Sequence, residues 1–188
     1  MQTYISLLRG INVSGQKIIK MDDLRRVYEH LNFHNVRTYV QSGNVIFQTK
    51  ESNQTLLQQK INAEIAREFG FDVPVLIMST QQLKQTIGNN PFAKDVTKEQ
   101  SFLHVTFLAE SPVNMDIKAI TDKKLNNEDI AFTPCAVYLY CPAGYGSSKL
   151  SNNLIEAKLR VKASTRNWKT SNELLKIALE VDALRSED

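Results

Sequence analysis

The first fifty residues constrain the fold more than any other part of the chain. Two apolar runs, one starting at Tyr4 and one ending at Phe47, each stop at a cluster of Arg, Asn, Gln, Ser and Gly residues. Between them, the segment MDDLRRVYEHLNF spaces its apolar residues like one face of a helix. The chain therefore begins with a strand, a loop, a helix and further strands, and its polar residues collect where strands end.

The elements that follow complete a recognisable order. Residues 36–41 and 44–49 alternate as two strands joined across Ser42 and Gly43, which is short enough for a hairpin. Apolar residues that recur about every 3.6 positions predict a helix over 54–69, with Gly70 as its C-cap. The segment VPVLIM is predicted to be a further strand. This βαββαβ order is typical of a ferredoxin-like plait.

The same order of elements recurs in the second half. After a linking helix near 80–88, the pattern predicts strands at 102–109, 128–133, 136–141 and 161–165, helices at 113–125 and 150–160, and a terminal helix at 169–184. We predict an α+β protein of two ferredoxin-like (βαββαβ) α/β plaits in tandem. The predicted domains are residues 1–79 and residues 80–188, the second including the linking and C-terminal helices.

Composition narrows the class of protein. The chain has 188 residues, enough for a substantial core, and its 23 basic and 20 acidic residues are too balanced to predict polyanion binding from net charge. No apolar run is long enough for a membrane span and no leader pattern is present, so we expect no membrane partner.

The two cysteines are expected to be free thiols. Cys135 and Cys141 flank a strand that would hold them too far apart to form a disulfide, and reduced thiols favour a cytoplasmic location. His30 and His34 lack the Glu of a zinc motif, so we expect no metal and no cofactor.

Alternation within the strands assigns side chains to the two faces of each sheet. The face covered by helices is predicted to carry Val36, Val40, Val45 and Phe47, and in the second half Val137 and Leu139. The other face is predicted to carry Arg37, Tyr39, Gln41, Asn44, Ile46 and Gln48 with Tyr4 and Ser6 beside them, and in the second half Tyr138 and Tyr140 near His104 and Thr106. Such a face could stack RNA bases, but packing against the other half or a terminal helix is the favoured alternative.

Two groups of residues could carry function. Arg9 and Asn12 end the first strand, while Gln41, Ser42 and Asn44 lie in the hairpin. We predict that the antiparallel arrangement of the strands places the end of the first strand and the hairpin at opposite ends of the sheet. Each could contact a ligand, or could instead bond to the backbone of an ordered loop.

The second group follows the last strand pair. The loop 142–149, PAGYGSSK, offers Tyr145, Ser148 and Lys149 as an anion site, or is a plain connection with Ser147 or Ser148 as N-cap. The segment 158–169, KLRVKASTRNWK, holds five cations and no acid around Arg166, Asn167 and Trp168. It could neutralise phosphates, or could be a solvated strand and helix start with Trp168 in the core.

The motifs LLRGIN, TYVQSGNVIF, NPF, HVTFL, GYGSSKL and TRNWKT together resemble the bacterial family called domain of unknown function 1697. The resemblance implies two ferredoxin-like plaits and no particular activity. It marks the residues of both groups, with Gly10, Gly15 and Gly43, as signature positions. Two positions depart from the family pattern. Ser14 stands where the family commonly has Gly, and Ser147 stands where it often has Arg. The second difference removes a cation from the loop 142–149 and weakens the case for an anion site there.

The leading functional hypothesis is a cytoplasmic binding module for an anionic ligand, nucleic acid or nucleotide-like, held by the loop 142–149 and the basic segment that contains Arg166, Asn167 and Trp168. One alternative is an enzyme for a small phosphorylated or carboxylated substrate, with Lys149 or Arg166 stabilising charge and Ser42 or Tyr145 near the reacting group. The other is a protein-interaction module. The sequence leaves open the ligand, any reaction and the oligomeric state.

Overall fold

The structure is a computed structural model that describes residues 1–184. Among these residues it contains two four-stranded antiparallel sheets and six α-helices, so the predicted α+β class is confirmed. The described chain divides into two compact units, residues 1–84 with 173–184 and residues 85–172. They are called the first and second unit below.

The first unit contains a sheet in the order β2-β3-β1-β4. Its strands are β1 (Gln2–Leu8), β2 (His34–Tyr39), β3 (Asn44–Thr49) and β4 (Val75–Ser79). Its helices are α1 (Met21–His30) and α2 (Gln54–Phe69), with the first part of α3 (Thr80–Gly88) and the later part of α6 (Trp168–Ala183). The predicted elements of this half are therefore present, with ends displaced by a few residues.

The ends of α2 show why the sequence predicted this helix well. The Asn53 side chain accepts a hydrogen bond from the Leu56 amide at 3.1 Å, as an N-cap does. At the other end Gly70 has φ +76° and its amide donates to the Ala66 carbonyl. A left-handed residue of this kind is the usual helix C-cap, so the prediction for Gly70 is confirmed.

An aromatic cluster forms the core beneath the first sheet. The Phe47 ring lies 4.6 Å from that of Phe33, 5.3 Å from that of Tyr28 and 5.9 Å from that of Tyr4, measured between centroids. The prediction that Tyr4 and Ser6 lie on the other face is wrong. Tyr4 is paired with Phe47 in the register, and Ser6 bonds to Tyr28 on α1, because directly opposite residues of paired strands share a face.

The other face of the first sheet is also covered. Ile46 and Gln48 are buried, although alternation placed them on the open side. Gln48 Nε2 donates to Thr3 Oγ1 at 3.1 Å and to the Val181 carbonyl of α6 at 3.0 Å. The favoured alternative, packing against a terminal helix, is confirmed at Gln48.

The second unit contains a sheet in the order β6-β7-β5-β8. Its strands are β5 (Leu103–Leu108), β6 (Asp129–Phe132), β7 (Ala136–Tyr140) and β8 (Ala163–Asn167). It also holds α4 (Ile117–Thr121), α5 (Asn152–Leu159), the end of α3 and the start of α6. The helix predicted over 113–125 is therefore much shorter than expected.

Tyr138 does not offer an open stacking surface. It is fully buried, and its hydroxyl donates to the Thr86 carbonyl of α3 at 2.7 Å. Burial raises the pKa of Tyr138 to about 12. His104 and Thr106 were predicted near it, but the register pairs them with Leu139 and Val137, so they lie on the opposite face.

Equivalent main-chain bonds end the first strand of each unit. In the first unit, the Leu8 amide donates to the Gly43 carbonyl at 2.8 Å and the Arg9 amide to the Pro74 carbonyl at 2.9 Å. The counterparts in the second unit run from Leu108 to Cys135 at 3.0 Å and from Ala109 to Lys162 at 2.8 Å. The two units can therefore be compared position by position, and each serves as a control for the other.

Candidate functional site

The clearest candidate site is a corner of the first unit formed by residues 9–20 and 39–44, called the loop–hairpin corner. Leu7 pairs with Asn44, which is the first residue of β3. The prediction that Arg9 and the hairpin lie at opposite ends of the sheet is wrong. Because neighbouring antiparallel strands run in opposite directions, the end of β1 lies beside the start of β3.

Asn12 joins the long loop to the hairpin. Its Nδ2 donates to the Ile19 carbonyl at 2.9 Å and to the Gln41 carbonyl at 2.8 Å, and its Oδ1 accepts from the Ile19 amide at 2.8 Å. Asn12 has φ +54°, a left-handed conformation that Asn tolerates better than most residues. The structure therefore gives Asn12 the backbone-bonding role that was the predicted alternative to ligand contact.

Asn44 and Gly43 shape the hairpin from inside. Asn44 is buried, and its Nδ2 donates to the Tyr39 carbonyl and to Ser42 Oγ, both at 2.9 Å. Gly43 has φ +73°, and a Cβ there would lie 2.6 Å from the Cβ of Leu8. Only glycine fits, because the hairpin approaches β1 too closely for a side chain.

The polar side chains of the corner are neutral or cationic. Gln41 and Ser42 are exposed and Arg9 is half-buried. Neither 9–20 nor 39–44 contains an acidic residue. Lys17 Nζ, on the same loop, donates to the Asp72 carbonyl at 2.6 Å. The corner thus combines positive charge with amide and hydroxyl groups, the chemistry that suits an anion.

The second unit shows that the fold does not require these residues. By register and by the shared main-chain bonds, Ala109 stands where Arg9 stands. Cys135 replaces Gly43, and Ala136 replaces Asn44. The same strand ends form without the polar set, so this set is a specific property of the first unit.

The loop 142–149 is fastened to the second sheet through Tyr145. Its ring stacks on that of His104 with centroids 4.9 Å apart, and its hydroxyl donates to Thr165 Oγ1 at 3.3 Å. Burial lowers the pKa of His104, whose Nδ1 lies 3.2 Å from the Phe102 carbonyl oxygen. Tyr145 is therefore engaged in packing the loop.

The loop does not run straight into a helix. Ser148 Oγ accepts from the Leu150 amide at 3.0 Å, and the helix N-cap is Ser151, which accepts from the Leu154 amide at 3.3 Å. The prediction of Ser147 or Ser148 as N-cap is wrong, because α5 begins at Asn152. Lys149 is exposed but precedes the helix start by three positions.

The predicted basic segment is largely engaged in structure. Arg166 is half-buried and donates to Ser164 Oγ at 2.8 Å and to the Thr165 carbonyl at 2.9 Å. Burial lowers the pKa of Arg166 to about 10. Asn167 Oδ1 accepts from the Thr170 amide at 2.7 Å, which caps α6, and the Trp168 side chain is buried.

Tyr145 and Arg166 lie on opposite faces of the second sheet. Tyr145 reaches the side chain of Thr165, while Arg166 is the next residue of β8. Consecutive strand residues point to opposite faces of a sheet. The structure therefore brings the first group together at one corner and separates Tyr145 from Arg166.

Two cavities are lined by none of the predicted site residues. One of about 440 Å³ in the first unit is lined by Thr3, Ser79, Thr80 and their neighbours. One of about 570 Å³ in the second unit lies along α5 and includes Arg160 and Lys162. Both are built from separate segments, and the one sequence signal was the cationic run that contains Arg160.

Residues 1–184 contain neither an assembled metal site nor a membrane-spanning helix. No group of three or more His, Cys, Asp or Glu side chains is placed to hold a metal there. Within the same residues, every helix is too short or too polar to cross a bilayer. Both cysteines are free, and burial raises the pKa of Cys141 to about 11.

Together, the two sheets and the polar corner define an α+β protein with a candidate binding surface. Residues 1–138 match the model of the family described as protein of unknown function (DUF1697), and the chain belongs to that family. GYGSSKL and TRNWKT lie beyond the matched residues.

One solved structure has a similar fold. The conserved bacterial protein SP0830 from Streptococcus pneumoniae is 21% identical, with a TM-score of 0.68 over 94% of this chain and 98% of that one. At this identity the similarity shows the fold alone. No curated protein matches the sequence.

Proposed function

We propose that this protein is a binding module for an anionic ligand, of nucleic-acid or nucleotide-like type, and that the loop–hairpin corner is its binding surface. The observation that carries the proposal is the bond from Asn12 to the Gln41 carbonyl. It holds the Arg9 loop against the exposed Gln41 and Ser42, with no acid in either segment.

The chemistry of the corner supports an anion over a neutral ligand. A guanidinium presents several donors in a fixed plane, and carboxylates and phosphates accept them in pairs. Arg9 is half-buried, so its charge is less screened than that of a fully exposed side chain. The neutral side chains of Gln41 and Ser42 add hydrogen-bonding groups without opposing charge.

In the second unit, Lys149 is the residue that we propose as a separate anion contact. It is exposed, whereas Trp168 is buried and Arg166 and Asn167 bond to neighbouring residues. Tyr145 and Ser148 would then act indirectly, by holding the loop that carries Lys149. The enzyme alternative has less support, because Arg166, one of its charge-stabilising candidates, is engaged by its neighbours.

A salt titration, combined with a variant that adds a negative charge to the corner, tests the proposal. Labelled single-stranded RNA, a nucleoside triphosphate and inorganic pyrophosphate are titrated by fluorescence or calorimetry at rising ionic strength. Binding at low salt that weakens steeply with salt is expected. Gln41→Glu places a negative charge on the corner and should weaken binding several-fold.

The matched control is Gln59→Glu, which adds the same charge on the exposed side of α2 in the same unit. This variant should bind almost as the unmodified protein does. Equal weakening by both variants would show only a general effect of net charge. Absence of binding to all three probes at low salt would refute the proposed function.

A second candidate function is supported by apolar side chains at the same corner. Val13 is 58% exposed, Ile18 60% and Val40 47%, although exposed aliphatic residues are usually scattered. A protein partner would cover them. Val13→Ser with Ile18→Ser should then abolish a self-association or partner complex seen by light scattering, while leaving anion binding intact.

We also propose that each unit is a ferredoxin-like plait and that the protein is cytoplasmic. The strand orders β2-β3-β1-β4 and β6-β7-β5-β8 support the first statement, since the first and third strands of the βαββαβ order are central in each sheet. The predicted boundary between residues 79 and 80 remains a prediction. The free cysteines support the second statement.

A further inference from the structure

The second unit contains a groove along one side of α5, here called the α5 groove. Its volume is about 570 Å³, within the range of small-molecule sites. One wall is the face of α5 that carries Asn153 and Ala157, one turn apart, with the C-cap Arg160 beyond the end of the helix. Lys162 and Glu110 also line the groove.

The comparison between units explains why this space is open. Pro74 and Lys162 are equivalent, because each carbonyl accepts the amide that follows the first strand of its unit. Pro74 lies four positions after the helix C-cap Gly70, but Lys162 lies only two after the C-cap Arg160. The connection from the helix to the last strand is therefore two residues shorter in the second unit than in the first.

In the first unit a lysine from the loop 9–20 contacts those two residues. They are Phe71 and Asp72, and Lys17 reaches across them. The Lys17 ammonium group donates to the Asp72 carbonyl at 2.6 Å and lies 5.9 Å from the centroid of the Phe71 ring. The second unit lacks this pair of residues, and there Arg160 and Lys162 line an open groove.

Arg160 occupies a backbone position that favours glycine. It is the C-cap of α5 with φ +56°, where the equivalent α2 C-cap is Gly70 with φ +76°. A side chain in this left-handed conformation is unfavourable relative to glycine. A cation at a helix C-terminus is favourable, but the side chain still carries the cost of the left-handed backbone. The exposed guanidinium, which lines the groove, points to a role there.

We propose that the α5 groove binds a small zwitterion of the amino-acid class. Arg160 and Lys162 are exposed cations that would hold the carboxylate, and Glu110 is an exposed acid that would accept the ammonium group. Glu156 also lines the groove, but its Oε1 accepts from the Ala163 amide at 2.8 Å. The Asn153 amide can serve either end of the ligand.

The test screens the full chain against each free amino acid, with acetate and inorganic phosphate as comparison probes. Melting temperature is measured for every probe, and amide chemical shifts of Ala157 and Val161 report on the groove. At least one amino acid should raise the melting temperature and move both amides. Failure of every amino acid would overturn the proposal, as would equal responses to acetate or phosphate, since these lack an ammonium group.

Arg160→Gly separates a binding role from a structural one. Glycine relieves the left-handed backbone, so the melting temperature without ligand should stay unchanged or rise, while amino-acid affinity should fall at least tenfold. Lys123→Ala, which removes an exposed cation of the same unit that does not line the groove, should keep the affinity. A lower melting temperature of Arg160→Gly with undiminished affinity would overturn the assignment. Gln41→Glu, in the first unit, should not affect this site, so the two proposals fail independently.

Discussion

Asn12 Nδ2 donates to the main-chain carbonyl of Gln41 at 2.8 Å, across 29 positions of sequence. The same side chain makes two further bonds with Ile19, so one residue closes the loop on itself and fixes it to the hairpin. A side chain that bonds only to backbone does not contact a ligand through those atoms. It holds exposed neighbours in place, which is why we regard Asn12 as a positioning residue.

Replacing Asn12 should therefore destabilise the first unit. Asn12→Ala removes three hydrogen bonds and places Ala at positive φ, for a loss of about 2–4 kcal/mol in free energy of unfolding. Asn12→Gly removes the same bonds without the backbone penalty and should be about 1 kcal/mol less destabilising. Urea denaturation measures both. Two variants of unchanged stability would show that these bonds do not hold the corner.

Gly43 gives a second prediction with an internal control. Gly43 and Gly15 both have φ +73°, but only at Gly43 would a Cβ meet other atoms, with Leu8 Cβ at 2.6 Å and Ile11 Cδ1 at 2.8 Å. Gly15→Ala should cost about 1 kcal/mol for the left-handed backbone alone. Gly43→Ala adds overpacking of about 1–3 kcal/mol, so its unfolding midpoint in urea should be clearly lower. Equal midpoints would mean that the hairpin moves away freely.

The spacing of apolar residues predicts the position of a helix correctly where one face of the helix is apolar and its ends carry capping residues. The helix over 54–69 was predicted at its correct ends, because Gly70 and the spacing of Leu57, Ile61 and Ile65 are local signals. The helix over 113–125 was predicted too long. Its regular part is Ile117–Thr121, and the exposed Val113 contributes nothing to a buried face.

The face assignments failed where the partner of a strand was unknown. Tyr4 was placed with the polar residues, because a tyrosine suits either a core or a rim. Its neighbour across the sheet is Phe47, and only the register reveals that. Gln48 was assigned to an open face, but its amide bonds to Val181, whose position near β3 no local pattern encodes.

The candidate site was predicted as residues but not as an arrangement. Arg9, Gln41 and Ser42 were all named, yet placed at opposite ends by an incorrect reading of strand direction. Trp168 was offered both as a stacking residue and as part of the core, and burial supports the core. Arg160 was seen only as one cation among five, because its left-handed backbone is invisible in the sequence.

The hydroxyl pair beneath the first sheet gives a third prediction. Ser6 Oγ and the Tyr28 hydroxyl lie 2.5 Å apart and both residues are fully buried. Tyr28→Phe or Ser6→Ala leaves one buried hydroxyl without this partner and should cost about 1–3 kcal/mol. The double variant should cost less than the sum of the two, which a double-mutant cycle in urea measures. Strict additivity would show that the two hydroxyls do not interact.

Burial also makes Tyr28 sensitive to high pH. Burial raises the pKa of Tyr28 well above its usual value of 10, so the folded protein favours the neutral phenol. Stability should hold below pH 10 and fall as the pH rises beyond it, because only the unfolded state then readily loses the proton. Tyr28→Phe should reduce this alkaline loss in melting temperature. An unchanged alkaline slope in the variant would assign the effect to other groups.

His104 makes the second unit sensitive to mild acid. Burial lowers the pKa of His104 from its usual value of 6.5, so the folded state favours the neutral ring that stacks on Tyr145. The contribution to stability is complete above pH 6.5 and is lost progressively as the pH falls below it, because the unfolded state binds the proton more tightly. The melting temperature should thus decline between pH 7.5 and pH 5. His104→Gln should show a smaller decline, whereas His34→Gln, at an exposed position at the start of β2, should keep the full one. If the two variants decline equally, His104 does not carry the acid sensitivity, and the stacked pair with Tyr145 does not depend on a neutral ring.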